Sequence, residues 1–517
     1  MASAFSSRSL GDRVSELPGL ASPLLEENFA GFIPVGKASM LFYSLSCARN
    51  ATPRANSVPL ILWINGGPGA SSLTGYFFEN GPYSLIRGKH GDTFPLVKAN
   101  PFSWNTNAHV LYVDNPVGTG FSFCDGIQVE KTASAAKAEY NSSDYHRHKT
   151  NDTSCFVTSL EEAASQLADL LARIMFEVHP EILANSPLFL TGESFAGKFL
   201  PYTAAHILEQ AVLFPSKHPK ARLGTALRRG GVAVGNPEIN TLLQYPLTLT
   251  YLRGNAMLGP KEERELREQF FAPVPAPESF EEDRATKARA SLRGDPPSSA
   301  SESTAGCAAL VHRAEAAVGA NLIAAAWREA TAVCEAWLDL VYQAAGNPFR
   351  YDIRLPNGAF QQISKQLKQY LMRPDVGKAL HTQGRNWSSG DGESEGGSVA
   401  SALNSSIEKP GSLKKYASVL ELGIPVLIFD GTEDGSPFNH MSTENAFENM
   451  SWSGQRKFNE ASHKPWSAYH NGTLNGYSRS SGNFTYLTLL KAGHLVPMDQ
   501  PRVALAMIEF FVQGFFR

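Results

Sequence analysis

A short apolar run, Pro187 to Leu190, meets Gly192, then Ser194 between small and aromatic neighbours, then a segment able to start a helix. This is the nucleophile-elbow layout, in which a sharp strand-to-helix turn lifts a serine hydroxyl clear of a sheet. Small residues around the serine let the strained backbone turn without side-chain clashes. Ala196 takes the fifth place of G-x-S-x-G, where glycine is usual, and is nearly as small. The same letters, Gly192 to Lys198, spell most of a phosphate-binding loop, but Phe199 stands where Ser or Thr would have to bind magnesium. No metal and no cofactor is expected.

Other apolar runs share the habit of stopping at a glycine turn. Val58 to Ile64 ends at Asn65-Gly66-Gly67-Pro68-Gly69, Ala108 to Val113 at Asp114-Asn115-Pro116, and Gly231 to Val234 at Gly235-Asn236. A fully apolar run with such a stop suits a strand buried on both faces of a parallel sheet. Between the second run and the elbow, Leu160, Ala163, Ala164, Leu167, Leu170, Leu171, Ile174 and Met175 recur at helical spacing. Strand, helix and strand in that order is the grammar of an open α/β sheet.

The chain divides accordingly. Residues 1–27 read as a leader remnant or disordered tail, with order beginning near Phe29. Residues 28–235 form the first part of an α/β core, 236–344 a mainly helical cap inserted into it, and 345–517 the rest of the core. Polar insertions are expected at 125–155 and 383–411, and a Pro/Glu/Ser-rich disordered stretch at 272–306 inside the cap. Cys307 and Cys334 flank an Ala-rich helix pair and are candidates for a disulfide.

Late strands at Ile424 to Phe429 and Phe484 to Leu490 place two more groups. Asp434 follows the first and His494 the second. Loops at the carboxyl ends of strands are where sites collect in such a sheet, and the chain order Ser, Asp, His is that of α/β-hydrolases. A serine hydroxyl is a poor nucleophile until an imidazole takes its proton, and the carboxylate fixes the imidazole's tautomer. Asp430 and Glu433 are the fallback carboxylates. The oxyanion formed in acyl transfer needs two backbone N–H groups, expected from Phe195 and from the glycine turn at Gly66-Gly67, with Gly67 the donor.

Net charge is −3 over 517 residues and no basic stripe is interleaved with aromatics, which argues against nucleic acid as a partner. No apolar run reaches the ~18 residues needed to span a bilayer. Five cysteines leave at least one unpaired within the chain. Eight N-x-[ST] acceptors, at Asn50, Asn141, Asn151, Asn386, Asn404, Asn449, Asn471 and Asn483, favour a secretory route, and a missing or mispredicted leader is expected.

Trp63 to Ser72 resembles the glycine-turn signature of serine carboxypeptidases, and Gly192-Glu193-Ser194-Phe195-Ala196-Gly197 resembles their nucleophile motif, with Phe195 in place of the usual Tyr. Asn115 to Ser122 and Gly493 to Pro501 match too, with weaker echoes at Gly235-Asn236, Tyr351 to Arg354 and Pro374 to Val376. The resemblance runs in order from about residue 29 to the C-terminus. It implies an α/β-hydrolase fold, a mostly parallel sheet flanked by helices with a helical cap. It also implies removal of one residue from the free C-terminus of peptide or protein substrates. By the same resemblance, Asn65, Gly66, Glu79 and Glu193 bind that terminal carboxylate. Two close glutamates do not both ionise cheaply, so one keeps its proton and donates it to the substrate, and binding is expected to be better at acid pH.

The sequence also departs from the pattern. Ala70 stands where the family has Cys, so that disulfide is absent. Gly435 to Asn439 replaces the usual chain after the catalytic acid. The stretch 272–306 resembles in position a linker that some members cut to give two chains. An acidic lysosome- or vacuole-like compartment or the exterior is expected, and a homodimer is among the expected assemblies. Acyl transfer and a protective role beside another hydrolase are the alternative functions.

Overall fold

The computed structural model describes residues 11–50, 58–86, 96–124, 155–274, 305–318, 320–388, 399–403, 411–469 and 472–514. The insertion expected at 125–155 and the stretch at 272–306 lie almost entirely outside the described residues, as does much of 383–411. Asn141, Asn151, Asn404 and Asn471 lie outside them too.

The apolar runs become strands of one 12-stranded sheet. Its strands are β1 (Arg13–Val14), β2 (Asn28–Pro34), β3 (Ser39–Ser46) and β4 (Leu60–Ile64). After a separate hairpin of β5 (Tyr83–Ile86) and β6 (Leu96–Ala99), the sheet continues with β7 (His109–Val113), β8 (Phe123–Cys124), β9 (Leu188–Glu193) and β10 (Gly231–Gly235). It ends with β11 (Val426–Gly431), β12 (Lys464–Trp466), β13 (Gly476–Ser481) and β14 (Phe484–Leu489). The centre, in the order β7-β4-β9-β10-β11-β14, is parallel throughout. Antiparallel strands close both sides, β3-β2-β1 on one and β13-β12 on the other.

Side chains along the central strands divide between two cores. Leu60, Leu62, Ile64, Leu188, Leu190, Val232, Val234, Val426 and Ile428 enter one core. Their neighbours Ile61, Trp63, Phe189, Ala233, Leu427 and Phe429 enter the other. The period of two sends successive residues to opposite faces, and helices cover both, so the runs are apolar on both faces until the strands near their carboxyl ends. The helices Leu160–Arg173 and Ala196–Ala211 pack on the first face, and Pro501–Gln513 on the second. Truncating a fully buried residue such as Leu62 to Ala would cost about 2–5 kcal/mol.

The helix Leu160–Arg173 starts where the sequence places it. Ser159 accepts from the Glu162 amide at 3.2 Å, and Glu161 and Glu162 sit in the first turn. Beyond β10, the helices Thr241–Gly254, Pro260–Phe270, Cys307–Ala316 and Ala320–Ala344 share a core of their own that includes Tyr245, Leu252, Phe270, Val311 and Trp337. Cys307 and Cys334 are disulfide-bonded and tie the last two of these helices together.

Three features differ from the sequence reading. Order begins well before Phe29: β1 pairs with β2, Val14 and Leu17 are buried, and His179, fully buried, lies 3.3 Å from Asp12. Polar composition hides this segment, because Val14 and Leu17 are its only buried residues between 11 and 20. Cys124 and Cys155 form a second disulfide at the ends of the polar insertion, leaving Cys47 as the free, buried thiol. The strand β13, Gly-Tyr-Ser-Arg-Ser-Ser, has no apolar run at all. Its ladder with β14 supplies what its composition does not.

Candidate active site

The elbow forms at the carboxyl end of β9. Ser194 has φ 61, in the left-handed region that costs a non-glycine residue about 1–3 kcal/mol. Hydrogen bonds on both sides hold it there. Its N–H donates to the Gly235 carbonyl at 2.9 Å, and its carbonyl accepts from Gly197 at 2.8 Å and Glu238 at 3.0 Å. A Cβ on Gly192 would stand 2.3 Å from the Ile64 carbonyl oxygen and 2.8 Å from the Ala196 Cβ. One methyl fits at this crossing of strand and helix, and Ala196 supplies it because Gly192 has none.

His494 follows β14, and its Nδ1 lies 2.6 Å from Asp434 Oδ2 in the loop after β11. The Asp434 side chain is fully buried and that of His494 nearly so. The other Asp434 oxygen accepts from the Ser436 amide at 2.8 Å, so the carboxylate is fixed from both sides. With Nδ1–H donating to Asp434, Nε2 is left as the acceptor nitrogen. The two fallback carboxylates are engaged elsewhere. Asp430 lies inside β11 and accepts from the Tyr486 hydroxyl at 3.0 Å, while Glu433 accepts from the Thr432 hydroxyl at 3.2 Å.

Ser194 and His494 open onto one cavity of about 1120 Å³, with Asn65, Gly66, Gly67 and Glu193 in its wall. The glycine turn sits hard against the elbow. A Cβ on Gly66 would lie 2.4 Å from the Phe195 nitrogen and 2.7 Å from the Ser194 Cβ, so only glycine fits. Gly67 has φ +104, a conformation open to glycine. Asp114 braces this turn from below, accepting from the Ser71 hydroxyl at 2.6 Å and the Ser72 amide at 3.0 Å.

Behind the serine lies a buried polar cluster. Asn65 Nδ2 donates to Glu193 Oε1 at 2.8 Å and to Glu79 Oε1 at 3.1 Å. Its own Oδ1 accepts from Trp63 Nε1 at 2.9 Å and from the Gly75 amide at 3.2 Å, which fixes the orientation of the amide. The second oxygen of each carboxyl, Glu79 Oε2 and Glu193 Oε2, is buried with no hydrogen-bond partner among the described residues. Burial pushes Glu79 up to about 7, against the pull of the Asn65 hydrogen bond. Glu193 is raised well above the usual range, first by burial and then by the charge of Glu79. Asn65 and Glu193 reach the cavity wall, whereas Glu79 stands behind them.

The arrangement gathers a serine, an imidazole–carboxylate pair and two buried carboxyls around one cavity. The sequence profile described as serine carboxypeptidase matches residues 18–514. The chain belongs to the serine carboxypeptidase family. The pheromone-processing carboxypeptidase kex1 of Penicillium rubens is 28% identical over 475 residues, covering 89% of this chain and 64% of the relative. Serine carboxypeptidase-like 48 of Arabidopsis thaliana is 25% identical over 505 residues, covering 95% of this chain and 80% of the relative. The chain thus spans a little under two thirds of the Penicillium relative's length. In fold it is similar to the crystal structure of Kex1Δp, a prohormone-processing carboxypeptidase from Saccharomyces cerevisiae, with TM-score 0.68 and 20% identity over 98% of this chain and 96% of that one.

In this member of the family some supporting residues carry only a weak signal in the sequence. The His494 amide donates to the Tyr351 carbonyl at 2.7 Å, and the Tyr351 ring packs 4.8 Å from the imidazole. Arg354 bridges Asp352 at 2.6 Å and Asp499 at 3.0 Å, and Asp499 in turn accepts from the Gly493 amide at 2.6 Å. The segment Tyr351 to Arg354 stands out only by its likeness to the family, and nothing in its composition ties it to His494. Two tyrosines of the cap helices hold the acid loop: Tyr251 donates to the Thr432 carbonyl at 2.8 Å and Tyr342 to that of Gly435 at 3.0 Å.

Proposed function

We propose that this protein is a serine carboxypeptidase in activity as well as family, releasing C-terminal residues from peptides through an acyl-enzyme. Ser194 Oγ attacks the last peptide carbonyl while His494 Nε2 takes the hydroxyl proton. Asp434 holds the imidazole in the required tautomer and stabilises its charged form. The Gly67 and Phe195 amides receive the oxyanion. Collapse of the tetrahedral intermediate breaks the C–N bond, and the departing amine takes the proton from His494. Water, deprotonated by the same imidazole, then hydrolyses the ester and restores Ser194.

One observation carries the reading: the Asn65–Glu79–Glu193 cluster, buried beside Ser194, where burial favours the protonated form of both carboxyls. Burying two carboxyls without a cation is expensive, and a hydrolase of esters or internal amides has no use for it. A substrate carboxylate arriving at the cavity wall would accept the Glu193 proton in a hydrogen bond, with Asn65 and Gly66 completing its seat. Acyl transfer to an alcohol would leave this set idle, and a purely protective role would leave the Asp434–His494 pair idle. The test is an N-blocked dipeptide with a free C-terminus against its C-terminal amide. The acid should be cleaved with a kcat/KM at least tenfold higher; equal cleavage of the two would remove the assignment.

A secretory or vacuolar setting accompanies this proposal. It is supported by the two disulfides and by Asn50, Asn386 and Asn449, glycosylation acceptors that are all exposed. A mass decrease on endoglycosidase treatment of the native protein is the expected result, and no decrease would count against it.

A further inference from the structure

Part of the cavity wall is helical. Gln361, Lys365, Lys368 and Met372, spaced by three or four residues, line it along the helix Ala359–Leu371 and its end. The other side of that helix is anchored. Leu367, Tyr370 and Leu371 are buried, and the Tyr370 ring packs 5.3 Å from Phe77, two residues before Glu79. The lysine-bearing helix is therefore packed directly on the turn Gly75–Glu79, which carries one carboxyl of the proposed terminal-carboxylate seat.

The charges in this wall are unequally committed. Asp352 and Asp499, the carboxylates that could meet a basic side chain, are both bound by Arg354. Arg350 is paired with Asp339 at 3.3 Å and lies over the Tyr342 ring. Lys365 and Lys368 are exposed and have no carboxylate partner among the described residues. The cavity thus offers two uncommitted cations and, among the described residues, no uncommitted, ionised side-chain carboxylate.

Resting on the carboxypeptidase reading, we propose that Lys365 and Lys368 are specificity-determining residues that select acidic side chains, Asp or Glu, at the C-terminal residue of the substrate and disfavour Lys and Arg there. A terminal carboxylate seated at Asn65 and Glu193 leaves the side chain of that residue in the cavity that Lys365 and Lys368 also line. Partly solvated charge contacts are individually small, so the discrimination comes from two acting together, and added salt weakens it.

The experiment uses three N-blocked dipeptides differing only in a C-terminal Glu, Leu or Lys, assayed at pH 6, where the Glu side chain is ionised. The readout is the ratio of kcat/KM for the Glu peptide to that for the Lys peptide within one preparation, so any loss of active enzyme cancels. The wild type should show a ratio well above one that shrinks with added salt. The double variant Lys365→Glu/Lys368→Glu should lower it by roughly tenfold, since each contact turns from attraction to repulsion. A wild-type ratio at or below one, with the Leu peptide cleaved, would overturn the charge selection and leave the carboxypeptidase reading standing. An unchanged ratio in the double variant would do the same. Failure to cleave any of the three would overturn both.

Discussion

Asp434 Oδ2 and His494 Nδ1 are 2.6 Å apart with both side chains withdrawn from solvent, on loops that follow β11 and β14. Because those strands are parallel neighbours, the two loops emerge side by side although 60 residues separate the partners. The pair is set by the sheet before any substrate arrives.

Replacing Asp434 with Asn keeps the volume and removes the charge that fixes the imidazole tautomer. A fall in kcat of about 10⁴-fold is expected, with thermal stability close to the parent's. Retention of a tenth or more of kcat would assign the acid to another carboxylate, and the same assay on Asp430→Asn and Glu433→Gln would locate it.

Substrate affinity should depend on the carboxyl pair. Below about pH 7 Glu79 keeps its proton, and burial likewise favours the protonated form of Glu193, so a donor faces the substrate carboxylate. As pH rises through that value Glu79 ionises, and like charge accumulates behind the seat. KM should therefore rise above pH ~7, by up to about tenfold per unit, with kcat changing less. Glu79→Gln should flatten the profile. A KM that falls between pH 5 and 8 would contradict the assignment.

The same groups make a stability prediction of definite sign. Glu79 titrates at about 7 when folded, against an ordinary value of about 4.3. Between those values the folded state binds more protons than the unfolded one, so stability falls as pH rises through that window. Thermal unfolding should show Glu79→Gln gaining stability relative to the parent at pH 7.5 and not at pH 4. An equal difference at both pH values would show that the buried carboxyl carries no such cost.

Gly66 tests the oxyanion site without touching a titratable group. A methyl there would stand 2.4 Å from the Phe195 nitrogen, so Gly66→Ala must displace the turn or cover the amide. Loss of one oxyanion donor costs about 10²–10³ in kcat, and a loss at least this large is expected. Near-normal kcat in a folded Gly66→Ala protein would place the donors elsewhere.

Much of this is legible in the chain. The central strands announce themselves because burial on both faces demands unbroken apolar runs. Ser194 and His494 announce themselves because tight turns demand glycine at fixed offsets. Asp434 is less distinct, since three carboxylates fall within Asp430 to Asp434; the end of β11 leaves Asp430 in the sheet, and only the contact with His494 separates Asp434 from Glu433. The outer strand β13, paired between β14 and β12, and the segment around Val14 escape a reading by periodicity because half-buried backbone needs few apolar residues. The Arg354 bridge from Asp352 to Asp499 depends on two loops meeting, which periodicity cannot express.

Every step of the proposed chemistry depends on Ser194 as the nucleophile. Treating the folded protein with a fluorophosphonate and mapping the adduct by peptide mass spectrometry tests it directly. The adduct should lie on the peptide containing Ser194 and disappear in Ser194→Ala. An adduct on another residue, or none on folded wild-type protein, would contradict the mechanism.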